Sequence, residues 1–194
     1  MKKYLLVVAL CVGSYSSAWS ADLPVSTPAP APAPAPSTLS SYSFIDELRM
    51  GALVHDAASR ESGGAPDLNA EVLFVKPWGT NDQWWLPRPM IGTTINFEGR
   101  TSTAFAAAAW QYYVTQKIFV EGTFGGSVNN GKVDGGDHHN AVGSHVLFRE
   151  SAALGYDLTD HWRVLATVEH DSNAGLAKKN RGLTNYGVQI GYRF

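Results

Sequence analysis

Hydrophobic and polar residues alternate along most of the chain after residue 45. In an extended strand, successive side chains point to opposite faces, so alternation predicts strands with one apolar and one polar face. Eight such runs are present, and turn-forming residues separate them. The runs are Leu48–Asp56, Asn69–Lys76, Ile91–Phe97, Thr103–Val114, Ile118–Ser127, Ser144–Tyr156, Trp162–Ser172 and Tyr186–Phe194. The pattern therefore predicts an all-β protein.

The connections between these runs alternate in length for most of the chain. They are long after the first, fifth and seventh runs and short after the fourth and sixth, and the long connection after the second run is an exception. Transmembrane barrels have short turns at one end and long loops at the other. Eight strands also suffice to close a barrel filled by its own side chains. We therefore expect an eight-stranded antiparallel transmembrane β-barrel over residues 43–194.

Tyrosine and tryptophan residues gather near the ends of the predicted strands, as in the interfacial girdles of membrane barrels. The chain ends on Phe194 with apolar residues at alternate positions before it, which is similar to the assembly signal of outer-membrane proteins. Both features favour an apolar face that points outward into lipid. The alternation also permits a soluble, lipocalin-like barrel with its apolar face turned inward.

The first 42 residues form two further segments. A charged start, a short apolar run and a small-x-small site ending at Ser20 predict a signal peptide over residues 1–20. Repeated Ala-Pro pairs then predict an extended periplasmic tether over residues 21–42, because proline fixes φ and lacks a backbone donor. The only cysteine, Cys11, lies in the predicted signal peptide, so we expect no disulfide in the mature protein.

Charge and composition exclude several kinds of partner. Without the signal peptide, the 15 basic residues fall to 13 against 17 acidic ones, and no Lys/Arg cluster of the kind that binds nucleic acid is present. No uninterrupted apolar run after residue 20 reaches the roughly 18 residues of a transmembrane helix. His138 and His139 lie in a stretch rich in Gly, Asp and Asn, so we expect a solvated loop and no metal site.

The seventh run ends in candidate chemistry. His170 and Ser172 share a face with Val164 and Val168 that is otherwise apolar, whereas Glu169 and Asp171 point to the opposite face. An imidazole beside a serine hydroxyl can accept its proton during attack on an ester. The pair therefore suits hydrolysis of a lipid ester, a reaction that needs no cofactor.

This stretch resembles the lipid A 3-O-deacylases, the PagL-type outer-membrane esterases. The resemblance rests on His170-x-Ser172-Asn173-Ala174-Gly175-Leu176, followed by Asn180, Gly182 and Tyr186. It implies a carboxylic ester hydrolase in the bacterial outer membrane. Its substrate would be lipid A, the lipid part of lipopolysaccharide, from which it removes the 3-O-linked hydroxyacyl chain at the lipid-facing wall of the barrel.

The resemblance also implies roles for individual residues. Ser172 would be the nucleophile, His170 its general base, and Asn173 and Gly175 part of the oxyanion hole. The family's acidic triad member lies fourteen residues after the histidine, and Thr184 holds that position here. Threonine cannot stabilise an imidazolium by charge, so the acid is supplied elsewhere or is missing.

Glu150 is the candidate substitute acid. A hairpin that pairs Tyr156 with Trp162 would set Phe148 opposite His170, and Glu150 would then lie diagonally from the imidazole on the same face. A carboxylate on a lipid-facing wall is costly without a partner. The alternative is a lumen-facing ion pair of Glu150 with a neighbouring arginine, Arg149 or Arg163, after a bulge flips the strand.

The missing acid leaves a second function open. The chain would then be a catalytically impaired barrel with a structural or lipopolysaccharide-contacting role. Both functions predict outer-membrane lipid as a partner, and a homodimer is compatible with either.

Overall fold

The computed structural model describes residues 44–57, 61, 66–79 and 83–194. The predicted signal peptide and tether lie outside the described residues, so both stay predictions. Within the described part, no helix is long and apolar enough to cross a membrane.

Eight strands account for most of the described chain, and each pairs antiparallel with its neighbours in sequence. The last strand also pairs with the first, which closes the sheet into a barrel. The strands are β1 (Ile45–Val54), β2 (Asp67–Phe74), β3 (Arg88–Ile95), β4 (Thr103–Tyr113), β5 (Ile118–Asn129), β6 (Val146–Asp157), β7 (Trp162–Ser172) and β8 (Leu183–Arg193). All eight alternating runs become strands, and the predicted barrel is confirmed.

Strand β7 shows how the alternation builds the two faces. Val164 and Val168 are 39% and 43% exposed on the outer wall, whereas Leu165 and Glu169 are each 2% exposed in the lumen. Large apolar side chains on the outside of a closed barrel need lipid to remove them from water. The soluble, lipocalin-like alternative is therefore wrong, because the apolar face points outward.

Paired charges fill the lumen. Arg149 forms ion pairs with Glu169 and, at 2.9 Å, with Asp171, and its guanidinium carbon lies 3.7 Å from the ring centre of Phe105. A second ion-pair network lies nearer the chain terminus and consists of Glu47, Arg49, Arg88, Glu121, Asp157 and Arg163. Buried charges are tolerable only when they are paired. Among the described residues, paired charges and the large buried side chains of Arg149, Arg163 and Phe119 fill the barrel interior.

The two ends of the barrel differ. At the end that holds the chain terminus, aromatic rings meet across strands: Trp84 lies 5.9 Å from Tyr112, and Trp162 lies 4.9 Å from Tyr192, between ring centroids. At the other end, which we call the loop end, lie the β1–β2, β3–β4, β5–β6 and β7–β8 connections. Strand β7 reaches the loop end at Ser172.

Candidate active site

His170 and Ser172 lie on the outer wall at the loop end of β7, and both are partly exposed. The acids next to them in sequence, Glu169 and Asp171, point into the lumen, where Arg149 pairs with both. The outer wall at this point therefore carries an imidazole and a hydroxyl two residues apart on one face. Neither neighbouring carboxylate lies on that face.

Thr184 is the partner of His170 on β8. The two residues pair directly across the β7–β8 ladder, and Thr184 Oγ1 lies 2.8 Å from His170 Nδ1. Nε2 has no hydrogen-bond partner within the described residues, so no hydrogen bond joins it to Ser172. In a catalytic triad the third member orients the imidazole and stabilises its cation. Thr184 holds the ring through Nδ1 but carries no charge.

Glu150 lies directly opposite His170 in the β6–β7 ladder, and Phe148 lies directly opposite Ser172. The diagonal position expected from the sequence is wrong by two residues, because Tyr156 pairs with Val164. A shift of two leaves every side chain on its predicted face, so Glu150 is exposed on the outer wall. Side chains directly opposite each other have Cβ atoms about 5 Å apart, so the true register brings the carboxylate closer to the imidazole than predicted.

The register follows from the β6–β7 turn. Asp157 pairs with Arg163 at the base of the turn, with Asp157 Oδ1 2.9 Å from Arg163 Nη2. Thr159 Oγ1 accepts a hydrogen bond of 2.9 Å from the backbone N of Trp162, and the backbone N of Leu158 donates to Trp162 O over 2.9 Å. The turn therefore holds five residues, 158–162, between the paired positions.

The lumen-facing ion pair of Glu150 is also wrong. Arg149 binds Glu169 and Asp171, and the partners of Arg163 are the carboxylates of the second lumen network. Glu150 has no ion-pair or hydrogen-bond partner in the part of the chain that the structure describes. It is a carboxylate on an apolar wall with an imidazole across the ladder.

The wall around Glu150 and His170 forms a shallow groove of about 390 Å³, which Phe124 and Val168 also line. The ring of Phe124 stacks on that of Phe148, with centroids 6.3 Å apart and planes 16° from parallel. Because Phe148 is opposite Ser172, an apolar surface begins directly beside the candidate nucleophile. A hydrocarbon chain can lie against it while its ester meets the hydroxyl.

Gly182 gives the imidazole its space. A Cβ atom added at Gly182 would lie 2.5 Å from His170 Cε1 and 2.8 Å from His170 Nε2. Any larger residue would push the ring from its bond to Thr184 or close off Nε2. Glycine at this position belonged to the motif, but its contact with the ring was not predictable from spacing.

Asn173 organises the loop that follows Ser172. Its Nδ2 donates to Val142 O over 2.9 Å and to Lys179 O over 2.6 Å, and its Oδ1 accepts from the backbone N of Gly175 over 3.0 Å. Gly175 has φ of +79°, a conformation that suits glycine. The side-chain amide of Asn173 is therefore engaged in loop structure, and Gly175 N–H is held in the turn beside Ser172.

Asp56, in the β1–β2 loop, holds the backbone of Thr184 in place. Its Oδ1 accepts from the backbone N of Thr184 over 3.3 Å, and its Oδ2 accepts from Asn140 Nδ2. The backbone N of Ala57 donates to Thr184 O over 2.9 Å. Both the backbone N–H and the backbone C=O of Thr184 are thus hydrogen-bonded to the β1–β2 loop. Sequence reasoning missed Asp56, since the contact joins residues 128 positions apart.

The same loop holds a buried charged cluster. His55 lies between Asp67, 2.6 Å from Nδ1, and Glu61, 3.1 Å from Nε2. Burial alone would lower the pKa of His55, but the two carboxylates outweigh it and raise that pKa to about 9. Burial opposes ionisation of Glu61, yet hydrogen bonds from His55 and from the backbones of Asn140 and Thr101 lower its pKa to about 2. Through Glu61 the cluster joins the β1–β2 loop to the β3–β4 and β5–β6 loops.

The loop histidines expected to be solvated lie near this cluster. His138 is exposed, and His139 Nδ1 lies 3.5 Å from Glu61 Oε1. Across residues 44–57, 61, 66–79 and 83–194, no group of three or more His, Cys, Asp or Glu side chains is arranged to hold a metal ion.

Together these features define a transmembrane barrel of the outer-membrane type that carries a serine and a histidine on its lipid-exposed wall. The sequence model of the lipid A 3-O-deacylase (PagL) family matches residues 67–193, and the chain belongs to this family. The match spans β2 to β8 and includes the outer-wall site. No curated protein matches the sequence.

Two solved structures share the fold. The crystal structure of the outer membrane enzyme PagL has 18% sequence identity, covers 77% of this chain and 99% of its own, and superposes with a TM-score of 0.52. A de novo designed transmembrane β-barrel has 10% identity, covers 78% of this chain and 96% of its own, and gives a TM-score of 0.50. At these identities the likeness concerns the fold, and the family match carries the assignment.

Proposed function

We propose that the chain is a serine esterase of the outer membrane that hydrolyses the 3-O-linked hydroxyacyl chain of lipid A. The observation that carries this proposal is the pairing of His170 Nδ1 with Thr184, which leaves Nε2 available on the face that also bears Ser172. Membership of the deacylase family supplies the substrate class. The apolar wall beside Ser172 suits an acyl chain that stays in the bilayer.

The proposed reaction has two halves. Ser172 Oγ attacks the ester carbonyl carbon while His170 Nε2 takes the hydroxyl proton, and the C–O bond to the sugar breaks as the imidazolium returns that proton to the sugar oxygen. Water then attacks the acyl carbon while His170 Nε2 takes its proton, and the bond from that carbon to Ser172 Oγ breaks as the imidazolium returns the proton to Oγ. The products are a free hydroxy fatty acid and a lipid A with a free 3-hydroxyl.

Glu150 compensates in this proposal for the neutral Thr184. The imidazolium formed in each half needs a nearby negative charge, and Glu150 is the carboxylate across the ladder on the same wall. Attraction between opposite charges is weakly screened beside hydrocarbon, so the imidazolium is the partner that offsets the cost of an ionised Glu150 on the wall. Thr184 orients the ring and Glu150 stabilises its cation.

The turn after Ser172 supports the oxyanion hole. Asn173 fixes the turn through its side-chain amide. The backbone N–H of Gly175 donates to Asn173 Oδ1 over 3.0 Å, and in this proposal it also serves the developing oxyanion. Asn173 therefore has a structural role in the proposed site, and Gly175 supplies the donor. The structural role is supported by the two backbone carbonyls, Val142 O and Lys179 O, that Asn173 Nδ2 binds.

Orientation in the membrane completes the proposal. With the chain terminus and aromatic girdle on the periplasmic side, the loop end is extracellular, and β7 carries Ser172 to the outer leaflet. Lipid A occupies that leaflet, so it reaches the site by lateral movement. The predicted signal peptide would direct export to this location.

Mass spectrometry of lipid A tests the proposal. Expression in a host whose lipid A keeps its 3-O-acyl chain should remove one hydroxyacyl group. Ser172→Ala should reduce the activity by about a thousandfold or more. Ser144→Ala, which removes a hydroxyl from the β5–β6 loop, serves as the matched control and should leave the product intact.

The second candidate is a barrel that binds lipopolysaccharide without turnover, and Thr184 at the acidic position is the observation that favours it. It predicts unchanged lipid A in the mass spectrum with the protein folded in the membrane. A product that persists in Ser172→Ala would instead move the nucleophile elsewhere.

A further inference from the structure

A polar groove opens at the loop end beside the candidate site. It has a volume of about 600 Å³ and lies between the β5–β6 and β7–β8 loops. Three basic residues, Lys178, Lys179 and Arg181, line it together with one aspartate, Asp134. His139 also lines the groove but lies beside Glu61, at 3.5 Å. The groove therefore carries a net positive charge.

The two lysines are available to a ligand. Lys178 and Lys179 are both exposed, and neither ammonium group has an ion-pair partner among the described residues. Nothing in the family motif or the proposed mechanism uses them. Adjacent cations at the level where a membrane meets water attract phosphate groups.

The lysine loop is held in place by the same contacts that order the site. Asn173 Nδ2 holds Lys179 O at 2.6 Å, and the backbone N of Arg181 donates to Ala141 O over 3.0 Å. A loop whose backbone is already ordered loses little further backbone freedom when it binds a ligand. The backbone that carries the two lysines is therefore fixed next to the turn after Ser172.

The polar groove and the site share Gly182 as a neighbour. This glycine lines the groove and is also the residue against which the imidazole of His170 packs. A molecule with its ester at Ser172 and its acyl chain on the apolar wall would have its polar part at the loop end, where this groove lies.

We propose that the Lys178–Lys179 groove binds a phosphate monoester on the sugar headgroup of the substrate, which rests on the proposed function. Lipid A is a phosphorylated glucosamine lipid, so the same molecule presents an ester to Ser172 and an anion to the lysines. Lysine binds phosphate as a point charge and tolerates variation in its position. The groove acts as an anchor that holds the ester in register with the nucleophile.

Binding of the intact substrate by the inactive Ser172→Ala protein provides the first measurement. The probes are neutral-detergent micelles that carry either phosphorylated lipid A or the same lipid A after removal of its phosphates. We expect the phosphorylated lipid to bind at least about tenfold more tightly. The difference should shrink as salt is added, because exposed charges are screened.

The paired substitution Lys178→Gln with Lys179→Gln provides the second measurement. Introduced into Ser172→Ala, it should weaken binding of phosphorylated lipid A about tenfold and leave binding of the dephosphorylated lipid unchanged. In the active protein it should lower kcat/KM for phosphorylated lipid A and spare a phosphate-free p-nitrophenyl acyl ester. Lys117→Gln, at the opposite end of the barrel, is the control and should change neither.

The outcomes separate this inference from the proposed function. Equal binding of both lipids, or no effect of the lysine pair, overturns the groove assignment and leaves deacylation untouched. Phosphate-dependent binding without any deacylation by the unaltered protein supports the groove and rejects the enzyme. Competition by inorganic phosphate as strong as that by lipid A would show a free-anion site and overturn the assignment to a lipid.

Discussion

Polar side chains have many partners in the lumen and few on the outer wall. In the lumen, Arg149 meets Glu169 and Asp171, and each charge has a partner at close range. On the outer wall, His170 has one hydrogen bond, to Thr184, and lies beside the exposed carboxylate of Glu150 and the apolar side chains of Phe124 and Val168. Ion pairs in a barrel interior satisfy buried charges. A sparsely bonded polar group on a lipid-facing wall is costly, which makes it a candidate for function.

A single strand supplies both regions. Along β7, Glu169 and Asp171 point inward while His170 and Ser172 point outward. The two regions should therefore respond differently to substitution: lumen changes should alter stability, and wall changes should alter activity.

The largest expected effect is on the lumen side. Arg149→Met leaves Glu169 and Asp171 buried without a counter-charge and should reduce the free energy of unfolding by about 3 kcal/mol or more. Denaturant unfolding of the detergent-refolded barrel measures it. Adding Glu169→Gln and Asp171→Asn should restore most of the stability. If Arg149→Met alone unfolds at the native midpoint, the lumen charges do not stabilise the barrel as described.

The next effect belongs to the wall. Gly182→Ala places a methyl group against the imidazole and should lower kcat/KM by about a hundredfold, because small misplacements of a catalytic base are costly. Deacylation kinetics in detergent measure it, with stability followed in parallel. Gly122→Ala is the matched control, since an added Cβ there meets nothing within 4 Å. Equal activity of the two variants would remove the role given to Gly182.

A smaller effect on activity distinguishes the proposed charge of Glu150 from the orienting role of Thr184. Glu150→Gln should lower kcat about tenfold and more than Thr184→Ala does, since only Glu150 supplies charge to the imidazolium. Thr184→Glu should rescue Glu150→Gln by returning an acid to Nδ1. Equal losses from Glu150→Gln and Thr184→Ala, or no rescue, would reject the compensating role of Glu150.

The smallest expected effect is the contribution of His55, at the loop end, to the pH dependence of thermal stability. The pKa of His55 is raised to about 9, so its contribution to stability is complete below about pH 6.5 and is lost as pH rises through about 9. The midpoint of thermal unfolding should therefore fall across that window, and less so in His55→Gln. His161→Gln, at the other end, is the control. An identical alkaline decline in His55→Gln would assign the loss to other groups.

Much of the barrel follows from local pattern. The alternation along β7 placed His170 and Ser172 on the outer wall and Glu169 in the lumen, because the face of a strand residue depends only on whether its position is odd or even. The register between β6 and β7 did not follow from that pattern. It depends on the Asp157–Arg163 pair and on the Thr159 hydroxyl in the turn, and periodicity does not detect either contact.

In the candidate site, too, some features were predictable from the sequence and others were not. The motif identified its histidine, serine and glycine positions, and the hydrogen bond from Nδ1 to Thr184 lies where the family's acid would act. The support from Asp56 and the loop role of Asn173 depend on contacts between distant loops. Such contacts form only when the barrel closes, so no local sequence pattern predicts them.

The packed interior has a consequence for the cell envelope. Ion pairs and aromatic rings fill much of the barrel interior, so the reactants of the proposed reaction would reach the wall site from the rim or from the surrounding leaflet. An enzyme of this kind would change the composition of the surface lipid without adding a pore.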